Sequence, residues 1–214
     1  MREAARGGDV PWWGGASAAA VPVLLVAGLT AAARLQPPRF DAGNNTLSAL
    51  AADGARDSWI MTITFVAVAA CDIVTALALR PAARAGRIAL TGTGLACMMV
   101  AAFPDHPGGS PSHAYCAGAA VAGQVLWPSF AWRRGPGVPW GLRPATCVAA
   151  SVALAALALW FGAELVVHGA QMGVSERIAG LAQAAWPLCV VSSCRRGRPA
   201  SLPDPVPDDS ALGA

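Results

Sequence analysis

ATCVAASVALAALALWFGAELVV, residues 145–167, decides the fold class. Wound as an α-helix, the stretch is apolar on every face, and at 1.5 Å per residue it is long enough to cross the roughly 30 Å hydrocarbon core of a bilayer. A barrel strand would be shorter and would alternate side chains outward and inward, which this stretch does not do. The rest of the chain agrees. Of its 214 residues 55% are hydrophobic and 13% charged, the mean hydropathy is +0.49, and the apolar residues come in blocks rather than stripes. The fold class expected is all-α: a polytopic transmembrane bundle in a single membrane domain, with no soluble domain attached.

Working outward from that stretch, similar blocks give six expected spans: 15–33, 59–79, 88–103, 113–132, 146–167 and 178–194. Their ends carry physical signals. Trp12-Trp13 suits a membrane interface, Pro104 stops the third span, and Arg80, Arg133-Arg134 and Arg195-Arg196 close the second, fourth and sixth. The boundaries are therefore an N-terminal segment 1–14, a six-helix membrane domain 15–194, and a tail 195–214 whose prolines and aspartates predict disorder. Ala31-Ala32-Ala33 imitates a signal-peptide cleavage site, but Glu3 and Asp9 dilute the basic start and Pro22 interrupts the apolar core.

All 15 basic residues are arginines, and their placement speaks to topology rather than to nucleic acid. Counted on alternate sides of the six spans, Arg2, Arg6, Arg80, Arg84, Arg87, Arg133, Arg134, Arg143, Arg195, Arg196 and Arg198 share one side. Arg34, Arg39, Arg56 and Arg177 share the other. By the positive-inside rule the first side is cytoplasmic, so both termini are expected there, in a multi-pass protein of the cell membrane. The loop 34–58, the stretch 103–113 and the turn with His168 and Gln171 then face outward together. Cys71, Cys97, Cys116, Cys147, Cys189 and Cys194 sit in or beside apolar segments without a C-x-x-C pair, which reads as packing.

The loop 34–58 holds Asn44-Asn45-Thr46-Leu47-Ser48, in which Asn45 or Thr46 can cap a short helix through Leu50 at the bundle mouth. The run from Phe40-Asp41 through Asn45-Thr46-Leu47-Ser48-Ala49-Leu50 is followed by a span, an arginine-bearing loop, a glycine-rich span, Phe103-Pro104-Asp105 and His113. On those residues the chain, from about 15 to 194, resembles the bacterial membrane family called domain of unknown function 998. That resemblance implies a six-helix membrane bundle whose most recognisable residues lie on the outer side. It implies no particular activity.

The polar residues at the outer side carry whatever chemistry there is. Glu164 and His168, four residues apart, are expected on one helix face about a turn from each other. Asp105 and His113 flank a helix-ending proline and a helix start, with Ser110 or Ser112 as cap. An acid and an imidazole that meet where lipid gives way to water can do general acid/base work, so Glu164, Asp105 and His113 are the candidate catalytic residues. Asn45, Ser48, Trp59, Trp160 and His168 are the candidate substrate-binding residues. Deeper in, Asp72 must face the bundle interior, with Thr91, Thr93 and Gln124 as partners at similar depth, and a polar latch between helices is its expected role.

Three function classes follow. The first is an acid/base enzyme on a lipid or isoprenoid, resembling small membrane terpene cyclases in size, with Trp59, Trp127, Trp160 and Trp186 walling an apolar pocket. The second is a metal-dependent membrane hydrolase built on the histidines and acids. The third is a non-catalytic lipid-binding or accessory protein. Gly92, Gly94, Gly118 and Gly123 permit close helix approach within the bundle or between copies, as in a homo-oligomer. The expected partner is a membrane lipid or hydrophobic small molecule; no resident metal, cofactor or nucleic acid is expected.

Overall fold

The computed structural model describes residues 9–106 and 108–196; the start of the N-terminal segment and the tail from 197 onward lie outside them. Among the described residues every regular element is helical. The order is α1 (Trp12–Leu35), α2 (Leu47–Ala51), α3 (Trp59–Ala78), α4 (Arg84–Ala102), α5 (Pro111–Ala131), a 3-10 turn at Trp140–Leu142, α6 (Pro144–Val167) and α7 (Met172–Arg196). Four of these helices, α1, α3, α4 and α6, are long and apolar enough to cross a membrane. At 21 and 25 residues α5 and α7 are as long. Their hydropathy is lowered by His113 and Gln124 in α5 and by Glu176, Arg177 and Gln183 in α7.

Local chemistry sets the helix ends. Thr46 caps α2 by accepting a hydrogen bond from the Ala49 N–H, and Ser110 caps α5 by accepting one from the His113 N–H. Pro111 and Pro144 occupy first-turn positions of α5 and α6, where a missing N–H costs nothing. The C-terminal end of α6 differs from the expected one. His168 takes a left-handed conformation with φ of 51° and ends the helix, so it does not share a helical face with Glu164.

The six long helices pack in a ring: α1 on α3, α3 on α4, α4 on α5, α5 on α6, α6 on α7, and α7 back on α1. Small residues let the backbones approach. A Cβ at Gly94 would lie 2.8 Å from the Ala69 carbonyl oxygen, and one at Gly86 would lie 2.4 Å from the Ala131 Cα. Gly123 faces Thr93 at similarly short range, whereas Gly92 and Gly118 have open space around them, so only one of each expected glycine pair sits at a close crossing. The outward faces carry exposed Val23, Ile63, Ile88, Val152 and Leu159, as surfaces turned to lipid require.

Two apolar cores divide the ring along its axis. At one end Ala18, Ala78, Leu79, Leu90, Trp127, Ala131, Leu142 and Val190 pack together. At the other end Val21, Leu25, Met61 and Val68 surround Leu47 and Leu50 of α2. The short helix therefore plugs its end of the bundle, with Leu50 fully buried between its neighbours. That plugged end is called the mouth below.

Candidate functional site

The mouth is built from the loop between α1 and α3. Residues 41–45 tie themselves into a turn. The Asp41 carboxylate accepts from the Gly43 N–H at 2.8 Å and from the Asn44 side-chain amide at 2.7 Å, while Asn45 Oδ1 accepts from the Asp41 N–H at 3.1 Å. The Asn45 side-chain oxygen is thus engaged within the turn. Such self-bonding is what Asp and Asn do in turns, and it delivers Thr46 to the start of α2.

The first turn of α7 clasps this loop. The Gly43 carbonyl accepts from the Gly173 N–H at 2.8 Å and the Val174 N–H at 3.1 Å. Arg177 Nη1 donates to the Asn45 carbonyl at 2.8 Å and to the Gly173 carbonyl at 2.7 Å. A Glu176 carboxylate oxygen accepts from the Leu47 N–H, adding to the start of α2 an acceptor from 129 residues away. Glu176 stands before the apolar segment that begins at Ile178. Enclosure pushes its carboxyl up to about 7, opposed by the Leu47 N–H, the Arg177 guanidinium and the Ser48 N–H.

From the other side α5 reaches the same short helix. His113, buried at 6% exposure, places Nδ1 2.9 Å from the Phe103 carbonyl and Nε2 3.1 Å from the Ser48 hydroxyl. A carbonyl only accepts, so Nδ1 carries the proton and a neutral ring turns its Nε2 lone pair to Ser48. The Ser48 hydroxyl then donates to an imidazole acceptor. Hydroxyl and base stand in the relation that activates a serine.

Asp105 organises the neighbouring loop. One of its carboxylate oxygens accepts from the His106 N–H at 3.0 Å and the Ser110 N–H at 2.9 Å, and its carbonyl accepts from the Asp53 N–H at 2.9 Å. His106 Nδ1 lies 2.7 Å from an Asp53 carboxylate oxygen. The stretch 103–113 and the loop 36–58 are therefore joined at three points. Glu164 is engaged elsewhere, accepting from the Gln171 N–H at 3.0 Å and packing on Gly169 in the turn between α6 and α7.

The candidate residues thus fall into groups. Asn45, Ser48, Asp105 and His113 belong to the clasped mouth; Glu164 and His168 shape the α6–α7 turn, with His168 exposed. Trp160 is half-buried in α6, and Trp59 is exposed at the start of α3 with its indole N–H on Asp57. The side chains of Glu164, Asp105 and His113 each bond to different groups. The tryptophans do not wall one pocket: Trp127 and Trp186 pack in the core at the end away from the mouth. Among the described residues, no three of the His, Cys, Asp and Glu side chains group so as to hold a metal ion.

Glu176 was not among the expected site residues, and Arg177 was expected only as an outer-side charge. A signal was present, because an acid beside a base at the start of a long apolar helix must find partners as the helix enters the bundle. Their partners, at 45–48, lie too far away in sequence for spacing to reveal.

Comparison with known proteins adds the family. Residues 18–193 match the family model described as Protein of unknown function (DUF998). No curated protein and no solved structure matches the chain. The matched region runs from early in α1 to the last turn of α7 and includes the whole clasped mouth. The protein is a membrane helical protein, and it belongs to the DUF998 family.

Proposed function

We propose that the mouth is an acid/base site acting on a lipid or isoprenoid substrate, with acyl transfer through the Ser48 hydroxyl as its favoured step. The observation that carries this reading is the hydrogen-bonding of His113. Its Nδ1 is fixed as donor by the Phe103 carbonyl, which leaves Nε2 to take the proton of Ser48. Ser48 itself is only half-buried, so a substrate can reach it. Asp105 acts as a positioning residue, holding the loop from which Phe103 presents its carbonyl. The isoprenoid-cyclase version needs aromatic walls around a cation, and the separation of Trp127 and Trp186 from the mouth favours acyl chemistry instead.

In this reading all six long helices cross the cell membrane, α7 from Ile178 onward, and both termini are cytoplasmic. Residues 15–194 form the membrane domain, with 1–14 and 195–214 inside and the mouth outward. The outer leaflet then supplies the substrate.

A second reading is a non-catalytic lipid-binding or accessory protein, and one observation favours it. The N–H groups of Leu47 and Ser48 are engaged by Glu176 and that of Ala49 by Thr46, so no backbone pair beside Ser48 is free to stabilise an oxyanion. A fluorophosphonate probe separates the two, because it phosphonylates a hydroxyl activated by a base. In membranes, labelling is expected at Ser48, absent in Ser48→Ala and at least about 100-fold slower in His113→Gln, the scale of general-base assistance. An unlabelled Ser48, with an unchanged lipid extract from cells lacking the gene, would decide for the accessory reading.

A further inference from the structure

Away from the mouth, the ring holds a second polar site that the acid/base reading does not use. Asp72 of α3 is 1% exposed and Gln124 of α5 8% exposed. Gln124 Nε2 donates to Asp72 Oδ2 at 2.9 Å. The remaining atoms of this pair, Asp72 Oδ1 and Gln124 Oε1, are both buried and both without a hydrogen-bond partner. If Asp72 is ionised, both are acceptors, with no donor between them.

The groups around the pair do not supply one. On α4, which packs against both helices, Cys97 directs its thiol to the Phe65 carbonyl at 3.7 Å and Thr93 directs its hydroxyl to the Ala89 carbonyl at 2.9 Å. Of the two arginines of that helix, Arg84 starts it and Arg87 donates to the Ala76 and Leu77 carbonyls. On α1, Ser17 donates to the Cys71 carbonyl. Thr75 and Trp127 lie one turn further along α3 and α5, each with its own unpartnered polar atom.

A single proton resolves both vacancies. On Asp72 Oδ1 it makes that atom a donor where Gln124 Oε1 is an acceptor without one, and a carboxylic acid and a primary amide can close a ring of two hydrogen bonds. Both groups are neutral in that ring, as an apolar interior demands. From this complementarity we infer that Asp72 and Gln124 form a buried proton-binding site, occupied at neutral pH, that latches α3 to α5 across α4. The two helices run in the same direction and each packs on α4, so the latch ties together two elements on either side of it.

The test is infrared spectroscopy of the full chain in a bilayer, taken as the difference between native protein and Asp72→Asn. Expected at neutral pH is a hydrogen-bonded protonated-carboxyl stretch. It should shift to the frequency of a free acid in Gln124→Leu. Asp72→Asn itself is expected to melt at the native temperature, because an Asn amide donates to Gln124 Oε1 where the acid proton did. Carboxylate bands in place of the acid band at neutral pH, or an acid band that Gln124→Leu leaves unmoved, would overturn the assignment. Should Asp72→Asn fail to fold, the Gln124→Leu shift alone decides.

Discussion

Replacement of Glu176 by alanine is expected to release the loop 36–58 from the mouth while the ring of long helices stays assembled. The change strands the Leu47 and Ser48 N–H groups, which then have no acceptor. Each buried donor left unpaired costs about 1–3 kcal/mol. Arg177 loses its charged neighbour as well, while one of its guanidinium nitrogens already lacks a partner. A combined loss of about 3 kcal/mol raises the open population on the order of 100-fold. Limited proteolysis of protein in nanodiscs reads this as rapid cleavage within 36–58. A cleavage rate equal to that of the native protein would show that Glu176 does not hold the loop.

The same carboxyl gives the docking a pH dependence whose sign is fixed. With its value raised to about 7 in the folded protein, against about 4.3 in an unfolded chain, Glu176 binds its proton more tightly when docked. Its contribution to stability is therefore greatest below the unfolded value and declines as pH rises through about 7. Glu176→Gln mimics the protonated form, and melting curves of this variant are expected to lack the decline that the native protein shows across that window.

The second large effect is steric. Gly86→Val would place a Cβ 2.4 Å from the Ala131 Cα and 2.6 Å from the Ala131 nitrogen, which are backbone atoms of α5 that no rotamer change can move. The start of α4 must then separate from the end of α5. The bond from the Ala83 N–H to the Ala131 carbonyl, 3.1 Å, is lost with it. Overpacking of this kind costs about 1–3 kcal/mol or more, a fall in melting temperature on the order of 10 °C for a chain of this size. Gly92→Val is the control. It lies on the same helix with open space around it, and it is expected to melt within a few degrees of the native protein. Equal losses at the two positions would refute the close crossing.

Patterns that are local in the chain were legible in the sequence. The apolar blocks placed the long helices, and arginines, prolines and hydroxyl caps marked their ends to within a few residues. Thr46 and Ser110 were readable as caps because capping is settled within three residues. Gln124 was among the expected partners of Asp72 because depth can be counted along a helix of known rise. Pairings across the ring were not legible. Ser48 and His113 stand 65 positions apart, and Glu176 and Leu47 129 apart. Spacing along the chain says nothing of which helix closes the ring. The placement of His168 failed for a local reason: its left-handed backbone ends α6 one residue too early for the expected helical neighbour of Glu164.

The clasped mouth also explains why the conspicuous residues of the loop are small and polar. Gly173 must lack a side chain, since a Cβ there would lie 2.5 Å from the Asn45 carbonyl oxygen and 2.6 Å from that of Ala42. Asp41 and the two asparagines shape the turn, Arg177 holds its carbonyls, and Leu47 and Leu50 supply the apolar anchor. The bond between His113 and Ser48 ties α5 to α2 beside them.

The central claim is that α2 and its loop are docked on α5 and α7 rather than hanging free at the bundle mouth. Residue-resolved amide hydrogen exchange of the native protein in nanodiscs tests it most directly. The Leu47 N–H, bonded to Glu176, and the Asp53 N–H, bonded to the Asp105 carbonyl, are expected to exchange orders of magnitude more slowly than an unstructured amide. Exchange of both at the rate of a free peptide would contradict the docked mouth and the Ser48–His113 site that depends on it.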